Sequence, residues 1–111
     1  MALLGMEYED GVETQTLSND VKYRKKGNIV TVYRPYGSST ISESDNRWRT
    51  LATLPTGYRP NESIITVSAD NSASSSSNVP LETLIGTDGN VKYYVFSAGT
   101  YNPQFSVTYI V

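Results

Sequence analysis

The stretch "QFSVTYIV", residues 104–111, alternates in side-chain character without interruption. Every second position carries a large apolar or aromatic side chain: Phe105, Val107, Tyr109 and Val111. The positions between them are Gln104, Ser106, Thr108 and Ile110. Because successive side chains of a β-strand point to opposite faces of a sheet, this pattern predicts a strand with one face in a core.

Two hairpins are predicted upstream of this strand. "TDGN" at 87–90 has Asp-Gly at its centre, the residue pair that tight two-residue turns favour, and it joins strands at 79–86 and 91–97. "VKYRKKGNIVTVYRP" at 21–35 has a second turn at 26–28, where Gly and Asn tolerate a positive φ. Both hairpins indicate an antiparallel sheet.

Other strands are predicted at 48–54, at 63–69 and, as a short piece, around Ile41. Two segments are interpreted as loops. Residues 70–78, "DNSASSSSN", are of low complexity, with five Ser among nine residues, and residues 98–103 read "AGTYNP". A loop at the tip of a sandwich commonly carries recognition, although a plain exposed connection is the simpler interpretation of 70–78.

The sum is about seven or eight short strands at regular spacing, which predicts an all-β fold. The architectures that fit are an antiparallel β-sandwich, a jelly roll or a small barrel. The length of 111 residues suits one domain. We expect a lead-in or shaft remnant at 1–20 and a β-sandwich head domain at 21–111.

Composition excludes several kinds of chemistry. The chain has no Cys and no His, so disulfides, thiolate or histidine nucleophile systems and ordinary zinc sites are absent. No apolar run approaches the ~20 residues that span a bilayer, so we expect no membrane insertion. Residues 1–20 hold five acids and no base, and the remainder, with nine bases and six acids, carries a net charge of +3. This balance does not favour nucleic-acid binding.

Carboxylate chemistry is the remaining catalytic possibility. The acids after residue 20 are Glu43, Asp45, Glu62, Asp70, Glu82 and Asp88. Most of them fall in predicted turns or on predicted solvent faces, and no spacing pairs two of them as glycoside hydrolysis requires. No EF-hand spacing occurs either. We therefore expect no enzyme activity and no cofactor, and we assign no metal ligands. Calcium coordination by Asp70, Asn71 or Asp88 is the alternative, although Asp88 is better explained as a turn residue.

Aromatic side chains are the chain's main resource for binding. Sugars stack their apolar faces on Trp or Tyr while Arg, Asn and Asp bond their hydroxyls. The segment "RWRTLATLPTGYRP", residues 47–60, concentrates such groups. The candidate saccharide contacts in the whole chain are Tyr36, Trp48, Arg49, Tyr58, Arg59, Tyr101 and Asn102.

The same segment also has a structural interpretation. Alternation along the strand puts Trp48, Thr50, Ala52 and Leu54 on one face and Arg49, Leu51 and Thr53 on the other. Pro55-Thr56-Gly57 then turns the chain. In a small β-domain most aromatic residues belong to the core or to a subunit interface, which is the alternative for Trp48 in particular. Tyr36 and Tyr101 are predicted to lie in loops.

Several motifs, in order, carry a family resemblance. "W..LATLPTGYRPN", then "IITV", "TDGNV" and "FSVTYI", resemble C-terminal domains of tail proteins from phages of Gram-positive bacteria. "YRKKGNIVTV" resembles the start of the head domain in receptor-binding proteins of lactococcal siphophage baseplates. The resemblance spans about residues 21–111, nearly the whole chain.

The resemblance implies a β-sandwich or jelly-roll head in a homotrimer, located at the tail tip or baseplate of a virion. It implies that the head binds a host cell-surface or cell-wall polysaccharide near the clefts between subunits. The N-terminal side would join other tail or baseplate proteins, and the chain would be a head fragment or a compact tail protein. The alternatives are a purely structural tail or baseplate module and, disfavoured by the isolated acids, a glycan depolymerase.

Overall fold

The computed structural model describes residues 13–70 and 80–111. Within these residues the chain forms ten strands and one short 3-10 turn, Ser18–Asp20, so the predicted all-β class is confirmed. The strands are β1 Gln15–Thr16, β2 Lys22–Lys26, β3 Ile29–Arg34, β4 Ile41–Glu43, β5 Arg47–Thr53, β6 Ile64–Asp70, β7 Leu81–Ile85, β8 Asn90–Val95, β9 Gly99–Tyr101 and β10 Pro103–Ile110. No helix in the described ranges has the length and apolarity that crossing a membrane requires.

Eight of the strands form one curled antiparallel sheet in the order β1-β2-β3-β10-β6-β7-β8-β5, and β4 pairs with β9. Strand β10 belongs to both halves of this sheet. Its first two residues pair with Asp70 and Ala69 of β6, whereas Phe105–Ile110 pair with β3. The sheet therefore folds over at β10, and the result is a sandwich-like domain.

The core lies between the two halves. The alternation predicted for β10 is confirmed, because Phe105, Val107 and Tyr109 are buried while Ser106, Thr108 and Ile110 are exposed. The opposite half contributes buried side chains from β5, β7 and β8: Leu51, Ala52, Leu81, Ile85, Val91, Tyr93 and Val95. Polar contacts also join the halves, since Ser18 Oγ and Asn19 Nδ2 each donate to the Leu51 carbonyl at 2.7 Å.

Strand β5 departs from the simple alternation predicted for it. Its pairing register with β8 shifts between Thr50 and Ala52. The extra residue buries both Leu51 and Ala52. The prediction that Trp48 and Ala52 share a face is therefore wrong. The bulge lets the first part of the strand turn Trp48 outward while the second part packs into the core.

The predicted hairpins and their turns are confirmed, as is the short strand at Ile41. The prediction of a loop at 98–103 is wrong, because Gly99–Tyr101 form β9 through pairing with β4. This pairing partner is 60 residues away, since Ile41 faces Tyr101, and local turn residues gave no sign of it. The other predicted loop, 70–78, lies outside the described residues except for Asp70, which ends β6.

Candidate functional site

Tyr58 is held in place by the turn after β5. Gly57 has a φ of 97°, and the Tyr58 N–H donates to the Pro55 carbonyl at 3.1 Å. The turn directs the Tyr58 ring against Tyr23 of β2, with ring centroids 4.9 Å apart and ring planes at 69°. Edge-to-face contacts of this kind stabilise a ring position by ~0.5–1.5 kcal/mol.

A cation completes this aromatic pair. Lys25 Nζ lies 5.1 Å from the centroid of the Tyr58 ring and donates to the Gly57 carbonyl at 3.0 Å. Both contacts orient the ammonium group over the ring, which is the geometry of a cation–π interaction. The polar end of Lys25 is thus fixed beside an aromatic surface.

The space around these side chains is a cleft of about 230 Å³, which we call the Tyr58 groove. Its lining residues are Glu13, Gln15, Tyr23, Arg24, Lys25 and Tyr58. An aromatic wall is therefore surrounded by one carboxylate, one amide, one guanidinium and one ammonium group. Its volume is below the ~300–1,000 Å³ of most small-molecule pockets.

Trp48 lies at the opposite end of β5 from Tyr58, outside the groove lining. It is 39% exposed and packs edge-to-face on Tyr94, with centroids 5.4 Å apart. Tyr36, in the connection between β3 and β4, is 83% exposed. The sequence candidates are thus divided between two ends of the sandwich rather than gathered in one site.

Tyr101 and Asn102 are buried, not exposed in a loop as predicted. The Tyr101 hydroxyl donates to the Ser97 carbonyl at 2.5 Å. Asn102 Nδ2 donates to the Ser38 carbonyl at 2.9 Å, and its backbone N–H donates to Asp70 Oδ1 at 3.0 Å. A ligand contact needs accessible atoms, so these two residues support the fold in this conformation.

Asn102 belongs to a buried cluster around Arg34, which is only 1% exposed. The four acceptors of the guanidinium, at 2.6–2.8 Å, are the carbonyls of Asn19, Ser39 and Pro103 and the side-chain oxygen of Asn102. Burial lowers the pKa of Arg34, and the charge of Asp20 opposes that effect. A hydrogen bond from the Ser39 N–H to the Asp20 carboxylate in turn lowers the pKa of Asp20.

The Arg34 cluster escaped sequence analysis because an Arg before a Pro resembles an exposed strand end. The alternation along β3 did contain a signal, since Val30, Val32 and Arg34 share one face and the first two are apolar. An Arg in phase with apolar residues indicates an inward side chain that needs acceptors on the core side.

Arg49 lies beside a second buried polar group, which is centred on Glu43. The Glu43 carboxylate has no accessible surface and lies 3.0 Å from Arg49 Nε and 3.1 Å from Arg47 Nη2. The Tyr93 hydroxyl donates to it at 2.9 Å. Burial is the main cause that raises the pKa of Tyr93, and the hydrogen bond to Glu43 raises it further. Glu43 thus lies neither in a turn nor on a solvent face, and it ties β4 to β5 and β8.

Arg59 supports the turns next to the Tyr58 groove. Its Nε donates to the Leu54 carbonyl at 2.9 Å, and the Leu54 N–H donates to the Gly89 carbonyl at 2.9 Å. Gly89 has a φ of 89°, and a Cβ there would lie 2.6 Å from Arg59 Nε. The guanidinium therefore fills the space that the missing side chain leaves, and it locks the β7–β8 turn to the end of β5.

Comparison with known proteins gives no family for this sequence. No protein-family model matches it, and no curated protein is significantly similar to it. The class that the structure defines is an antiparallel, sandwich-like β-domain, and the functional argument rests on the geometry of its surface.

Proposed function

We propose that this chain is the receptor-binding head of a phage tail or baseplate protein, and that it attaches the virion to saccharide on the host cell surface or wall without catalysis. The observation that carries the proposal is the Tyr58 groove. An oriented aromatic ring, a cation beside it and amide and carboxylate groups at its rim match the apolar face and the hydroxyls of a sugar.

The individual groups of the groove have separate roles in this proposal. The Tyr58 ring provides the stacking surface once the Lys25 ammonium, 5.1 Å from its centroid, moves aside, and the contact with Tyr23 fixes the ring angle before the ligand arrives. Lys25 and Arg24 donate to sugar oxygens, while Glu13 accepts from hydroxyls and Gln15 can do either. A prearranged ring reduces the conformational entropy that binding would otherwise cost.

Assembly amplifies the affinity of such a small site. We expect a homotrimer at the tail tip or baseplate, with other tail proteins contacting the N-terminal side. When several copies of a weak site are held together, binding at one copy raises the effective concentration of the polymer at the others. The assembly therefore binds the polymer more tightly than a single site does. The groove lies close to the described N-terminal residues, since Gln15 both lines it and pairs with Tyr23.

Binding without hydrolysis is supported by the placement of Glu43. It is the one carboxylate that the interior of the described domain encloses, and two Arg and one Tyr surround it with no accessible surface left. Glycoside hydrolysis needs two carboxyl groups that face the same glycosidic bond. Glu43 therefore serves as an anchor for β4 in this proposal.

The test is a titration of ¹⁵N-labelled protein with purified cell-wall polysaccharide from Gram-positive bacteria, followed by NMR. We expect shifts at the backbone amides of Arg24, Lys25 and Tyr58. Tyr58→Ala is expected to weaken binding at least tenfold, whereas Tyr58→Phe retains stacking and most of the affinity. Tyr36→Ala is the matched control, because it removes an exposed Tyr outside the groove.

The outcomes separate the candidates. Loss of binding in Tyr36→Ala but not in Tyr58→Ala would move the site to the Trp48 end and overturn the assignment of the groove. Absence of binding to every wall polysaccharide would favour a purely structural module. That second candidate is favoured by the internal ion pair of Arg49 and the internal hydrogen bonds of Arg59, Tyr101 and Asn102.

A further inference from the structure

The ammonium group of Lys25 covers the ring that a ligand of the Tyr58 groove has to reach. Lys25 Nζ lies 5.1 Å from the centroid of the Tyr58 ring and donates to the Gly57 carbonyl at 3.0 Å. The ring is also packed against Tyr23 and the core. Because that packed side is closed to a ligand, a sugar can stack on Tyr58 only after Lys25 has left its position.

A carboxylate in the same groove offers the ammonium group a second position. The register that pairs Gln15 of β1 with Tyr23 of β2 places Glu13 opposite Lys25, two positions further along the ladder. Both side chains line the groove. The Glu13 carboxylate accepts a hydrogen bond from Gln15 Nε2 at 3.3 Å, and in the part of the chain that the structure describes it forms no ion pair. A movement of the Lys25 side chain within the groove would bring its cation from the ring to this carboxylate.

We propose that Lys25 is a gate with two positions, and that a ligand stacks on Tyr58 only when the gate is open. In the closed position the ammonium group lies over the ring and bonds to the Gly57 carbonyl. In the open position it pairs with Glu13, and since an ammonium group has three donors, it still donates to a sugar oxygen. The inference rests on the saccharide-binding function proposed above, and it specifies how access to the ring is controlled.

The two positions of the gate are close in free energy. A cation–π contact at an exposed site favours the closed position by a factor of about two to five, and the bond to the Gly57 carbonyl is exposed to competing water. An exposed ion pair favours the open position by a factor of about one to five. Both positions are therefore populated, and a ligand that binds only the open one shifts the balance towards it.

The gate also contributes to specificity. Hydroxyl oxygen atoms of a sugar give the ammonium group a further acceptor in the open position, whereas an apolar compound of the same shape gives it none. Stacking of an apolar compound would therefore displace Lys25 without replacing the contacts that it loses. The gate selects ligands that combine an apolar face with acceptor oxygen atoms.

The first experiment is NMR of the isotope-labelled whole chain without ligand. In the closed position the ε-methylene protons of Lys25 lie beside the Tyr58 ring and should show an upfield ring-current shift, which Tyr58→Leu should abolish. Glu13→Gln removes the open-state partner and should increase the shift. The matched control, Glu62→Gln, removes the same charge at an exposed position outside the groove and should leave the shift unchanged. An unshifted Lys25 in the wild type, or an equal shift in Glu13→Gln, would overturn the gate.

The second experiment measures the association rate of cell-wall oligosaccharides from NMR line shapes. Lys25→Thr keeps strand propensity and leaves the ring uncovered, so association should be about two- to fivefold faster than in the matched control Lys22→Thr. Lys22 lies on β2 outside the groove lining, so its removal changes the net charge equally. Equal association rates would refute the gate. Absence of saccharide binding would refute the receptor-binding function, while the ring-current shifts still decide whether Lys25 has two positions.

Discussion

Arg34 is the residue whose removal should cost the domain most stability. Replacement by Leu leaves four acceptor oxygens without their donor, those of Asn102 and Pro103 buried and those of Asn19 and Ser39 partly buried. A buried unsatisfied group costs ~1–3 kcal/mol, and some acceptors will gain water as the loops relax, so we expect a loss of ~3–5 kcal/mol. At roughly 0.05–0.15 kcal/mol per residue, the whole domain has a stability of about 6–17 kcal/mol.

Urea unfolding, followed through the fluorescence of the single Trp48, measures this loss. For a slope of ~2 kcal/mol/M, the midpoint of Arg34→Leu should fall by about 2 M. Arg24→Leu is the control, because Arg24 is exposed on β2 and should change stability by less than about 0.5 kcal/mol. A loss below about 1 kcal/mol in Arg34→Leu would refute the reasoning and show that apolar packing replaces the cluster.

Two further predictions concern Tyr109 and Gly89. Burial raises the pKa of Tyr109 to about 12, and its hydroxyl donates to the Tyr58 carbonyl. The protonated Tyr109 hydroxyl contributes its full stability below the unfolded pKa of ~10, and this contribution is lost as the pH rises towards 12. Tyr109→Phe removes the titrating group, so the melting temperature of the variant should fall less steeply over that pH range. Gly89→Ala should cost ~1–3 kcal/mol in urea unfolding because of its φ of 89° and the 2.6 Å approach to Arg59 Nε. Gly27→Ala, with a φ of 61° and nothing within 4 Å, should cost less, and equal losses would contradict the steric argument.

The strands and hairpin turns were predictable because their signals are local. The alternation in residues 104–111 predicts the strand β10, and Asp-Gly at 88–89 predicts the turn between β7 and β8. No distant contact changes either of them. The pairing of β9 with β4 was not predictable, since it depends on contacts between segments 60 positions apart at Ile41 and Tyr101. The bulge in β5 was missed for a related reason, because only its partner strand reveals the register shift.

The candidate site was predicted in part. Tyr58 was identified as an aromatic candidate, but its neighbours Tyr23 and Lys25 come from a strand more than 30 positions earlier. Arg49 and Asn102 were interpreted as surface groups because polar side chains are usually exposed. In this domain Arg49 forms an ion pair with Glu43, and Asn102 accepts a hydrogen bond from Arg34. Sequence indicates which side chains can bind, whereas only the fold determines which of them remain accessible.

The dual pairing of β10 has a consequence for how the domain is made. Ile110 pairs with Ile29, and Pro103 pairs with Asp70, so the strand that joins both halves is synthesised after every other strand. The hairpins can form while the chain is still emerging, but the halves cannot close on each other until residue 110 has left the ribosome. Such distant pairing slows folding, and it leaves β3 and β6 without their β10 partner until that strand docks.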